Sequence, residues 1–530
     1  MWSSEYRDSV WGIIDQPWDI IIIGGGITGA GILKEAVNAG YKTLLLEAND
    51  FSFGTSSRSS KLIHGGFRYL RNKQYDVTKE SVHEREWLLK EAKNLVTPLN
   101  FFLPDYKSSR TPRWQLFIGV SIYGFYGRRW DHKHFNTNEL LQCIPFMNQQ
   151  NLAGAYRYGD AQMDDSRMVV RILKEAVEDG GYAINYAKVT GLLRNRDGKV
   201  CGVIIKDRSQ PNGAEYTAQA SVVINATGPW SDEIRSFIQK PAHIRKSRGS
   251  HLIFPREKFP LNYAVTLAHP KDNRAMFAIP WEGTTMIGTT DLDHPTHLTK
   301  SQDEPCASAD EISYIMDALH ATFPGAEVTQ ADMISSFAGL RPIISTGKAN
   351  PSDESRGHAV WEEDGLLSIA GGKYTTFRIM ATEVLNKARA SLPEVKPFPT
   401  QKRIIGSLPE PLDCGLDLPA WSYLSGRYGL ETPDICAYAQ PGELQQIEDL
   451  PNYWAELRWS ARSDAVIHLD DLLLRRVRIG MLLPNGAMDH LDKIKSIVQP
   501  ELGWSETRWQ IEVNAYRAIW ERSYSPTPLG

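Results

Sequence analysis

Three glycines near the amino terminus have the spacing that a dinucleotide pyrophosphate requires. Gly24, Gly26 and Gly29 form the pattern G-x-G-x-x-G. The first glycine permits a tight turn, the second lets the backbone approach the phosphates, and the third lets the next helix pack on the strand. The phosphates would then lie at the positive end of that helix, beside Ile27 and Thr28. The pattern predicts a dinucleotide site.

The elements around these glycines predict a Rossmann-type unit. Residues 19–23 (DIIII) form a short β-branched run before the glycines, and residues 30–38 have a helical pattern after them. Residues 42–46 (KTLLL) predict a second parallel strand. Glu47 closes that strand, where a carboxylate would accept hydrogen bonds from the adenosine ribose.

The next segment favours a buried flavin over an exchanging nicotinamide. Residues 52–66 (SFGTSSRSSKLIHGG) are rich in Ser, Thr and Gly. Most strand-to-helix connections are far shorter, so this length indicates a function. Small hydroxyl side chains and free amides can surround a large cofactor. The contacts predicted in this segment are Thr55, Ser56, Ser60, Leu62, His64, Gly65 and Gly66.

Two later segments predict further approaches of backbone to the cofactor. Residues 221–224 (SVVI) form an apolar strand that ends in a small-residue turn, and residues 366–370 (LLSIA) lead into Gly371-Gly372-Lys373 and a helix over 374–388. The dipole of that helix and Lys373 would stabilise the negative charge that a flavin gains on reduction. The contacts predicted here are Ala226, Thr227, Gly228, Trp230, Gly372, Lys373 and Thr375, together with Val189.

The complete set of motifs resembles one known family. In order and spacing, from about residue 17 to about residue 385, it is similar to the FAD-dependent glycerol-3-phosphate dehydrogenases, a branch of the D-amino-acid-oxidase-like flavoproteins. Residues 453–481 resemble the helical C-terminal domain of the same enzymes. The resemblance implies an α/β fold with a Rossmann-type FAD-binding domain, an antiparallel-sheet substrate domain and a C-terminal all-helical domain. The motifs are GGGITGAGI, TSSRSSKLIHGGFRYL, NATGPW, GSHLIFP, IPWEGTTMIGTTD, FAGLRP and SIAGGKYTTFR.

The resemblance also implies a reaction. The expected reaction oxidises sn-glycerol 3-phosphate to dihydroxyacetone phosphate, with hydride passing to FAD and electrons then to a membrane quinone. A buried phosphate dianion needs cations around it, because charge-assisted hydrogen bonds must replace its hydration. Arg68 and Arg341 match the family's substrate-site arginines, and Tyr69, Lys373 and Thr376 match further pocket residues.

Removal of hydride from a secondary alcohol needs a group that accepts the hydroxyl proton. His251 is the first candidate for this base, with Arg341 polarising the forming carbonyl, although a histidine beside an apolar strand also fits a core position. His64 fits either cofactor packing or cofactor attachment. Asp291 matches an acid near the family's active site, and a turn-capping aspartate explains it equally well. No residue group predicts a metal site.

The predicted flavin-binding part is discontinuous, because its strands must join one sheet. We expect residues about 17–70, 151–239 and 359–395 in this part, and about 71–150 and 240–358 in the substrate domain. Residues 251–254, 275–279 and 285–288 predict strands of an antiparallel sheet. Residues 396–530 follow a proline-rich linker and predict the helical domain, with Trp509, Val513, Tyr516 and Trp520 on one helix face.

Composition excludes several classes of protein. The chain has 530 residues, of which 42% are hydrophobic and 23% charged, and a formal charge of -4, so it predicts a globular multidomain protein without a nucleic-acid partner. Five scattered cysteines without a C-x-x-C pair favour a reducing compartment. Charges at Glu5, Arg7 and Asp8 interrupt any signal peptide, which favours a cytoplasmic protein.

Two segments raise the question of membrane contact. Residues 114–127 are uncharged but too short to span a bilayer, and we predict a buried helix there in preference to a membrane-contacting one. Residues 472–478 (LLLRRVR) predict a solvated or ion-paired face in preference to a lipid site. The resemblance alone implies a peripheral location on the cytoplasmic face of the inner membrane.

Three functions remain open from the sequence. The first is the quinone-reducing dehydrogenase, with glycerol 3-phosphate, a quinone and a second copy of the chain in a homodimer as expected partners. The second is a flavin oxidase that acts on glycerol 3-phosphate or a related hydroxy or amino substrate and uses oxygen. The third is a non-catalytic protein that keeps the FAD fold as a scaffold.

Overall fold

The computed structural model describes residues 2–66, 75–107, 112–127, 132–210, 212–295, 304–348, 354, 357–392 and 403–527. Two sheets organise this part of the chain, with helices packed against them. The helices are α1 (Ser4–Trp11), α2 (Ile27–Asn38), α3 (Tyr75–Glu91), α4 (Arg113–Tyr126), α5 (Thr137–Cys143), α6 (Asp165–Glu178), α7 (Ser231–Ser236), α8 (Ala309–Thr322), α9 (Phe377–Ala388), α10 (Leu418–Tyr428), α11 (Thr432–Tyr438), α12 (Trp454–Ser463), α13 (Ile479–Leu482), α14 (Leu491–Leu502) and α15 (Glu506–Ser523).

The strands form one mostly parallel sheet and one mostly antiparallel sheet. The first sheet contains β1 (Trp18–Ile23), β2 (Thr43–Leu46), β7 (Tyr182–Ile184), β8 (Ala187–Arg194), β9 (Val200–Asp207), β10 (Glu215–Asn225), β17 (His358–Glu363) and β18 (Leu366–Gly371). The second contains β3 (Leu62–Ile63), β4 (Val96–Tyr106), β5 (Lys133–Phe135), β6 (Leu152–Met163), β11 (Ile244–Pro255), β12 (Ala264–Ala268), β13 (Ala275–Trp281), β14 (Thr284–Gly288), β15 (Leu292–Asp293) and β16 (Ser335–Ile344).

The four strands predicted to share a sheet are neighbours in it. The order runs β18, β10, β1, β2, and all three pairings are parallel. Strand β1 is buried on both faces, which explains its continuous run of isoleucines. The α/β fold predicted from these strands is therefore confirmed, and the carboxyl ends of β1, β10 and β18 lie at one edge.

The three predicted strands of the substrate domain are also confirmed. They are parts of β11, β13 and β14, which pair antiparallel in the order β11, β14, β13. The same sheet continues through β12 and β4 to β6. Strand β6 pairs antiparallel with β4 from Val96↔Met163 to Tyr106↔Leu152. The chain therefore returns to the first sheet after residue 163, and not at residue 151 as expected.

The apolar helix α4 is not buried, so the prediction of a core helix is wrong. Only Val120 and Tyr123 of this helix are fully buried. Its exposed side chains are Trp114 (61%), Phe117 (50%), Ile118 (46%) and Phe125 (63%). Hydropathy correctly identified an apolar segment, but it could not show whether another element covers it. No described element covers the side of α4 that carries these exposed side chains. Across the described residues, no helix combines the length and apolarity that a membrane crossing requires.

The carboxyl-terminal part is helical, as predicted. The apolar face of α15 buries Trp509, Val513, Tyr516 and Trp520. The arginines predicted to be solvated or ion-paired lie on and beside a π-helical turn at Asp471–Arg476, and they are buried and ion-paired, which excludes them from lipid contact.

One buried carboxylate joins this helical part to the part of the chain that forms the first sheet. The Arg475 and Arg476 guanidiniums reach Asp50 at 2.5 to 2.7 Å. Burial alone would raise the pKa of Asp50, but the two arginines outweigh burial and lower that pKa to about 2. Asp50 thus stays ionised at neutral pH and compensates two cations that water does not reach.

We expect Asp50→Asn to destabilise the protein strongly, because it removes the carboxylate that pairs with the buried Arg476 and one of the carboxylates that pair with the buried Arg475. Loss of one partner of a buried pair typically costs about 3 to 5 kcal/mol. Urea unfolding of the variant and the wild type measures this difference. The exposed Asp8→Asn is the matched control and should leave the midpoint unchanged. Equal midpoints for all three proteins would contradict the role of Asp50.

Candidate active site

A cavity of about 1210 Å³ lies where the two sheets meet. The ends of β1, β10 and β18 contribute Gly24, Ala226 and Gly372 to its wall. Ligands of open α/β sheets bind at the carboxyl ends of parallel strands, so this is the expected edge. The three separated glycine-rich corners of the sequence therefore open into one shared cavity.

The first corner requires glycine for steric reasons. Gly24 has φ +113°, and a Cβ atom there would lie 2.7 Å from the Ala226 carbonyl oxygen. Gly26 occupies the N-cap position of α2 and has no side chain with which to cap the helix. Gly29 lies against the Gly24 carbonyl and does not line the cavity, which agrees with its predicted packing role. The backbone at this corner is exposed to the cavity.

Polar side chains fix the shape of this corner. Glu47 accepts hydrogen bonds from the Gly25 N–H at 2.7 Å and the Asn49 N–H at 2.9 Å. Burial raises the pKa of Glu47, and these backbone donors partly oppose that rise. The Ser56 hydroxyl accepts from the Ile27 N–H at 2.9 Å. The 52–66 segment is thereby closed onto the start of α2.

The same segment is anchored at its centre by buried charges that sequence reasoning missed. Lys61 donates to both oxygens of Asp165, at 2.8 and 2.9 Å, and Arg478 lies 3.2 Å from the same carboxylate. Burial and the neighbouring Arg478 lower the pKa of Lys61 to about 7, although Asp165 opposes them. No local pattern links these three residues, since they come from the loop, α6 and the helical domain.

The third corner carries a buried lysine. Lys373 precedes a 3₁₀ turn at Tyr374–Thr376, and this turn leads into α9. Together the turn and α9 cover residues 374–388, where the sequence predicted a helix. The Lys373 ammonium donates to the Ser81 hydroxyl at 2.8 Å, and burial lowers its pKa to about 7. Burial also lowers the pKa of His64, to about 4, so that ring is neutral at pH 7. The Thr375 hydroxyl donates to the His64 carbonyl, which joins this corner to the 52–66 segment.

Two arginines share one carboxylate in the wall contributed by the second sheet. The Arg341 guanidinium lies 3.3 Å from Asp291 and donates to the Thr289 hydroxyl at 2.8 Å. Arg274 lies 3.1 Å from the other oxygen of Asp291. Asp291 itself does not line the cavity, whereas both arginines do. Two cations on one anion leave this wall positive.

The guanidinium of Arg341 has room beside the neighbouring strand β11 because the adjacent residue of that strand, Gly249, has no side chain. A Cβ atom on Gly249 would overlap the guanidinium. Sequence reasoning missed both Gly249 and Arg274. The pairing of β11 with β16 brings Gly249 opposite Gly339, two residues from Arg341, and that register could not be read from the sequence.

His251 lies buried in the same cavity wall. Its Nε2 is 2.9 Å from the Ser60 hydroxyl, and its ring stacks on Phe337 at 4.7 Å between centroids. Burial, with Arg341 and Lys61 nearby, holds the pKa of His251 well below its usual range. The imidazole is therefore neutral at pH 7.

A hydrogen-bonded group behind His64 was also missed. The Tyr123 hydroxyl donates to Asp160 at 2.8 Å and accepts from the Gly65 N–H at 2.7 Å. Arg85 donates to the other oxygen of Asp160 at 2.8 Å. Helix α4, which carries Tyr123, is therefore bonded to the glycine turn beside His64. The contributing segments are too far apart in the chain for a spacing motif to reveal them.

Most of the predicted site residues surround this single cavity. Gly29, Gly65, Asp291 and Thr376 do not line it, and Arg68 and Tyr69 lie outside the described residues. The predicted residues that do line it are Gly24, Gly26, Ile27, Thr28, Glu47, Thr55, Ser56, Ser60, Leu62, His64, Gly66, Val189, Ala226, Thr227, Gly228, Trp230, His251, Arg341, Gly372, Lys373 and Thr375.

Comparison with known families decides the class of protein. A family described as FAD dependent oxidoreductase matches residues 19–378. The chain belongs to this family. Residues 368–509 match a second family, described as the C-terminal domain of alpha-glycerophosphate oxidase. The resemblance expected from the motifs is confirmed, and so is FAD as the cofactor.

Individual relatives cover nearly the whole chain. The aerobic glycerol-3-phosphate dehydrogenase of Staphylococcus saprophyticus is 32% identical over 529 residues, covering 95% of this chain and 93% of that protein. Glycerol-3-phosphate dehydrogenase 2 of Mycobacterium tuberculosis is 34% identical over 534 residues, covering 95% and 88%. The solved structure of the Bacillus halodurans glycerol-3-phosphate dehydrogenase complexed with FAD superposes with a TM-score of 0.79 at 28% identity, over 100% of this chain and 99% of that one.

The cavity fits FAD on structural grounds as well. Its volume exceeds the roughly 300 to 1,000 Å³ of ordinary small-ligand pockets, as a dinucleotide with a substrate requires. The N-terminus of α2 opens on the cavity at Gly26, Ile27 and Thr28, which suits a pyrophosphate. Glu47, His64 and Lys373 also line the cavity and could contact the rest of the cofactor.

We expect Gly24→Ala to lose bound flavin, because the new Cβ would push against the Ala226 carbonyl at a φ that alanine disfavours. The flavin-to-protein absorbance ratio of the purified variant measures this. Gly198→Ala is the matched control, since Gly198 has φ +78° but a Cβ atom there would meet no other atom within 4 Å. A full complement of flavin in Gly24→Ala would show that the corner does not cradle the cofactor.

Proposed function

We propose that this chain oxidises sn-glycerol 3-phosphate to dihydroxyacetone phosphate, with FAD as hydride acceptor and a quinone as the final electron acceptor. The observation that carries the proposal is the arginine pair Arg341 and Arg274 in the wall of the FAD cavity, with His251 buried in the same wall. The relatives named glycerol-3-phosphate dehydrogenase support the choice of substrate.

The arginine pair suits a phosphate monoester. A guanidinium offers a planar fork of donors that matches phosphate oxygens, and it stays charged when partly desolvated. The side chain of Arg341 is 26% exposed and lines the cavity, while the Asp291 carboxylate is fully buried behind it. The carboxylate holds both forks in position before the phosphate arrives, which reduces the entropy lost on binding.

His251 is suited to hold the proton released from the substrate hydroxyl. Its ring is oriented by Phe337 on one face and by Ser60 at Nε2. Within the described residues, the His251 Nδ1 has no hydrogen-bond partner and is closed off from the cavity, so we assign the proton to Nε2, which contacts the Ser60 hydroxyl of the cavity wall. The positive charge of Arg341 can polarise the oxygen as it becomes a carbonyl.

Bound FAD supplies the hydride acceptor, which no side chain of the protein can provide. The chain contributes Lys373 to the cavity wall, and in its protonated form this side chain would stabilise negative charge that develops on the acceptor in a site shielded from water. The two neutral histidines, His64 and His251, add no competing positive charge at neutral pH. The protein's part is thus orientation, proton acceptance and charge stabilisation.

The exposed helix α4 supports a lipophilic electron acceptor. Trp114, Ile118 and Ile122 of this helix line the same cavity as the glycine corners. Phe117 and Phe125 are exposed beside them. A continuous apolar wall from the protein surface to the flavin suits a quinone, which is stored in membranes.

We propose that α4 also lies on the membrane surface. Isolated exposed apolar residues are common, but several on one helix indicate an interaction site. Three exposed cationic residues are close to this helix in the chain, namely Arg113 at its start, Lys107 before it and Lys133 after it. Apolar groups beside cations suit an anionic lipid surface, as in interfacial helices. This supports a peripheral protein on the cytoplasmic face of a membrane.

Substrate recognition predicts a specific kinetic defect. Arg341→Ala should retain its flavin but lower kcat/KM for glycerol 3-phosphate by roughly ten- to a hundredfold, the equivalent of one or two charge-assisted hydrogen bonds. Anaerobic bleaching of the flavin by the substrate measures the rate. The surface variant Arg194→Ala serves as the control, because Arg194 is 39% exposed, does not line the cavity and pairs with Asp364 and the Gly198 carbonyl. Wild-type kinetics in Arg341→Ala would remove the phosphate assignment.

A double variant of α4 tests whether a quinone is the final electron acceptor and whether α4 contacts the membrane. Phe117→Ser/Phe125→Ser should reduce soluble dyes normally, but it should lose both sedimentation with anionic vesicles and reduction of quinone within them. The control double variant Leu412→Ser/Ile511→Ser removes two apolar side chains that are exposed to a similar extent elsewhere, at 52% and 55%. Stoichiometric hydrogen peroxide with oxygen, and no quinone reduction by the wild type, would favour the oxidase instead.

A further inference from the structure

Two cysteines that are distant in the sequence meet in the helical domain. The sulfur atoms of Cys414 and Cys436 are 2.9 Å apart, although 22 positions separate the residues. Cys414 precedes α10 and Cys436 lies in α11, and both side chains are partly exposed. The sequence showed only scattered cysteines, so this pairing is a product of the fold.

The segment between the two cysteines contributes several of the contacts that dock the helical domain on α6. Arg427 reaches Asp164 at 2.7 Å. The Arg171 guanidinium of α6 donates to the Gly426 carbonyl, and Lys174 lies 2.6 Å from Glu431. A covalent bond between the ends of this segment would restrict the part of the chain that makes these contacts.

We propose that Cys414 and Cys436 form a reversible disulfide under oxidising conditions. Two S–H bonds are lost and one S–S bond forms, while two electrons pass to the oxidant. With hydrogen peroxide as oxidant, the two thiol hydrogens leave in two water molecules. With a small-molecule disulfide, a mixed disulfide forms first, and the second thiol then displaces the small thiol.

The surroundings assign different roles to the two thiols. Burial and the adjacent Cys414 raise the pKa of Cys436 to about 12, so Cys436 is the less reactive thiol toward an oxidant in solution. Cys414 therefore reacts first, and Cys436 resolves the adduct. The bond closes a loop around α10 and restricts the unfolded chain. The cavity walls contain neither cysteine, so FAD-dependent activity should not change.

The test uses the flavin-loaded protein, treated with hydrogen peroxide or oxidised glutathione. Intact mass should fall by about two mass units and two titratable thiols should disappear, as one disulfide requires, with both changes reversed by dithiothreitol. The melting temperature should rise by a few degrees on oxidation, since the loop is closed. Kinetics with glycerol 3-phosphate should remain those of the reduced protein.

Serine variants identify the pair. Cys414→Ser and Cys436→Ser should each abolish the mass loss and the melting shift, whereas Cys201→Ser, which alters a partly exposed cysteine on β9, should retain both. Stable glutathione adducts on wild-type Cys414, without closure to a disulfide, would overturn the proposal. A persistent two-unit mass loss in Cys414→Ser would overturn it too, because another pair would then be responsible.

Discussion

The site depends on how one loop is held by buried charges. Residues 52–66 begin after the second parallel strand and end in the second sheet, so they connect the two layers. Asp165 accepts from Lys61 and Ser59 and pairs with Arg478, at 0% exposure for the carboxylate, the ammonium and the guanidinium. Such a cluster is costly to desolvate unless every charge is paired. When all the charges of the cluster are paired, they hold the loop in one conformation. The other side chains of the loop are then held in place as well.

Each function assigned to the cavity uses a different part of that loop. Ser56 closes on the start of α2, Ser60 orients His251, and the His64 carbonyl meets the corner that carries Lys373. Phosphate binding, proton acceptance and cofactor placement are therefore coupled through one backbone segment. The helical domain contributes to this arrangement through Arg478, although its own residues do not line the cavity.

The helix α4 connects the cavity to the surface of the protein. One side of the helix is exposed and apolar, while Tyr123 on the other side is bonded to Asp160 and to the Gly65 amide. The exposed apolar surface that we propose for lipid contact and the glycine turn beside His64 are thus held by the same short helix. This arrangement suits an enzyme that takes its substrate from water and gives its electrons to a lipophilic acceptor.

The sequence by itself determined the dinucleotide corners, the four parallel strands and the apolar face of α15. Glycine spacing and hydrophobic periodicity determine local structure through contacts among residues that are close in the chain. Both can therefore be recognised in the sequence. The tertiary structure alone decided that residues 152–163 join the second sheet, that α4 is exposed, and that Arg274 joins Arg341 on Asp291. It also brought Cys414 to Cys436 and buried the charges around Asp50 and Asp165. These features depend on strand register and on contacts across hundreds of positions, because burial and charge pairing belong to the assembled chain and not to any segment of it.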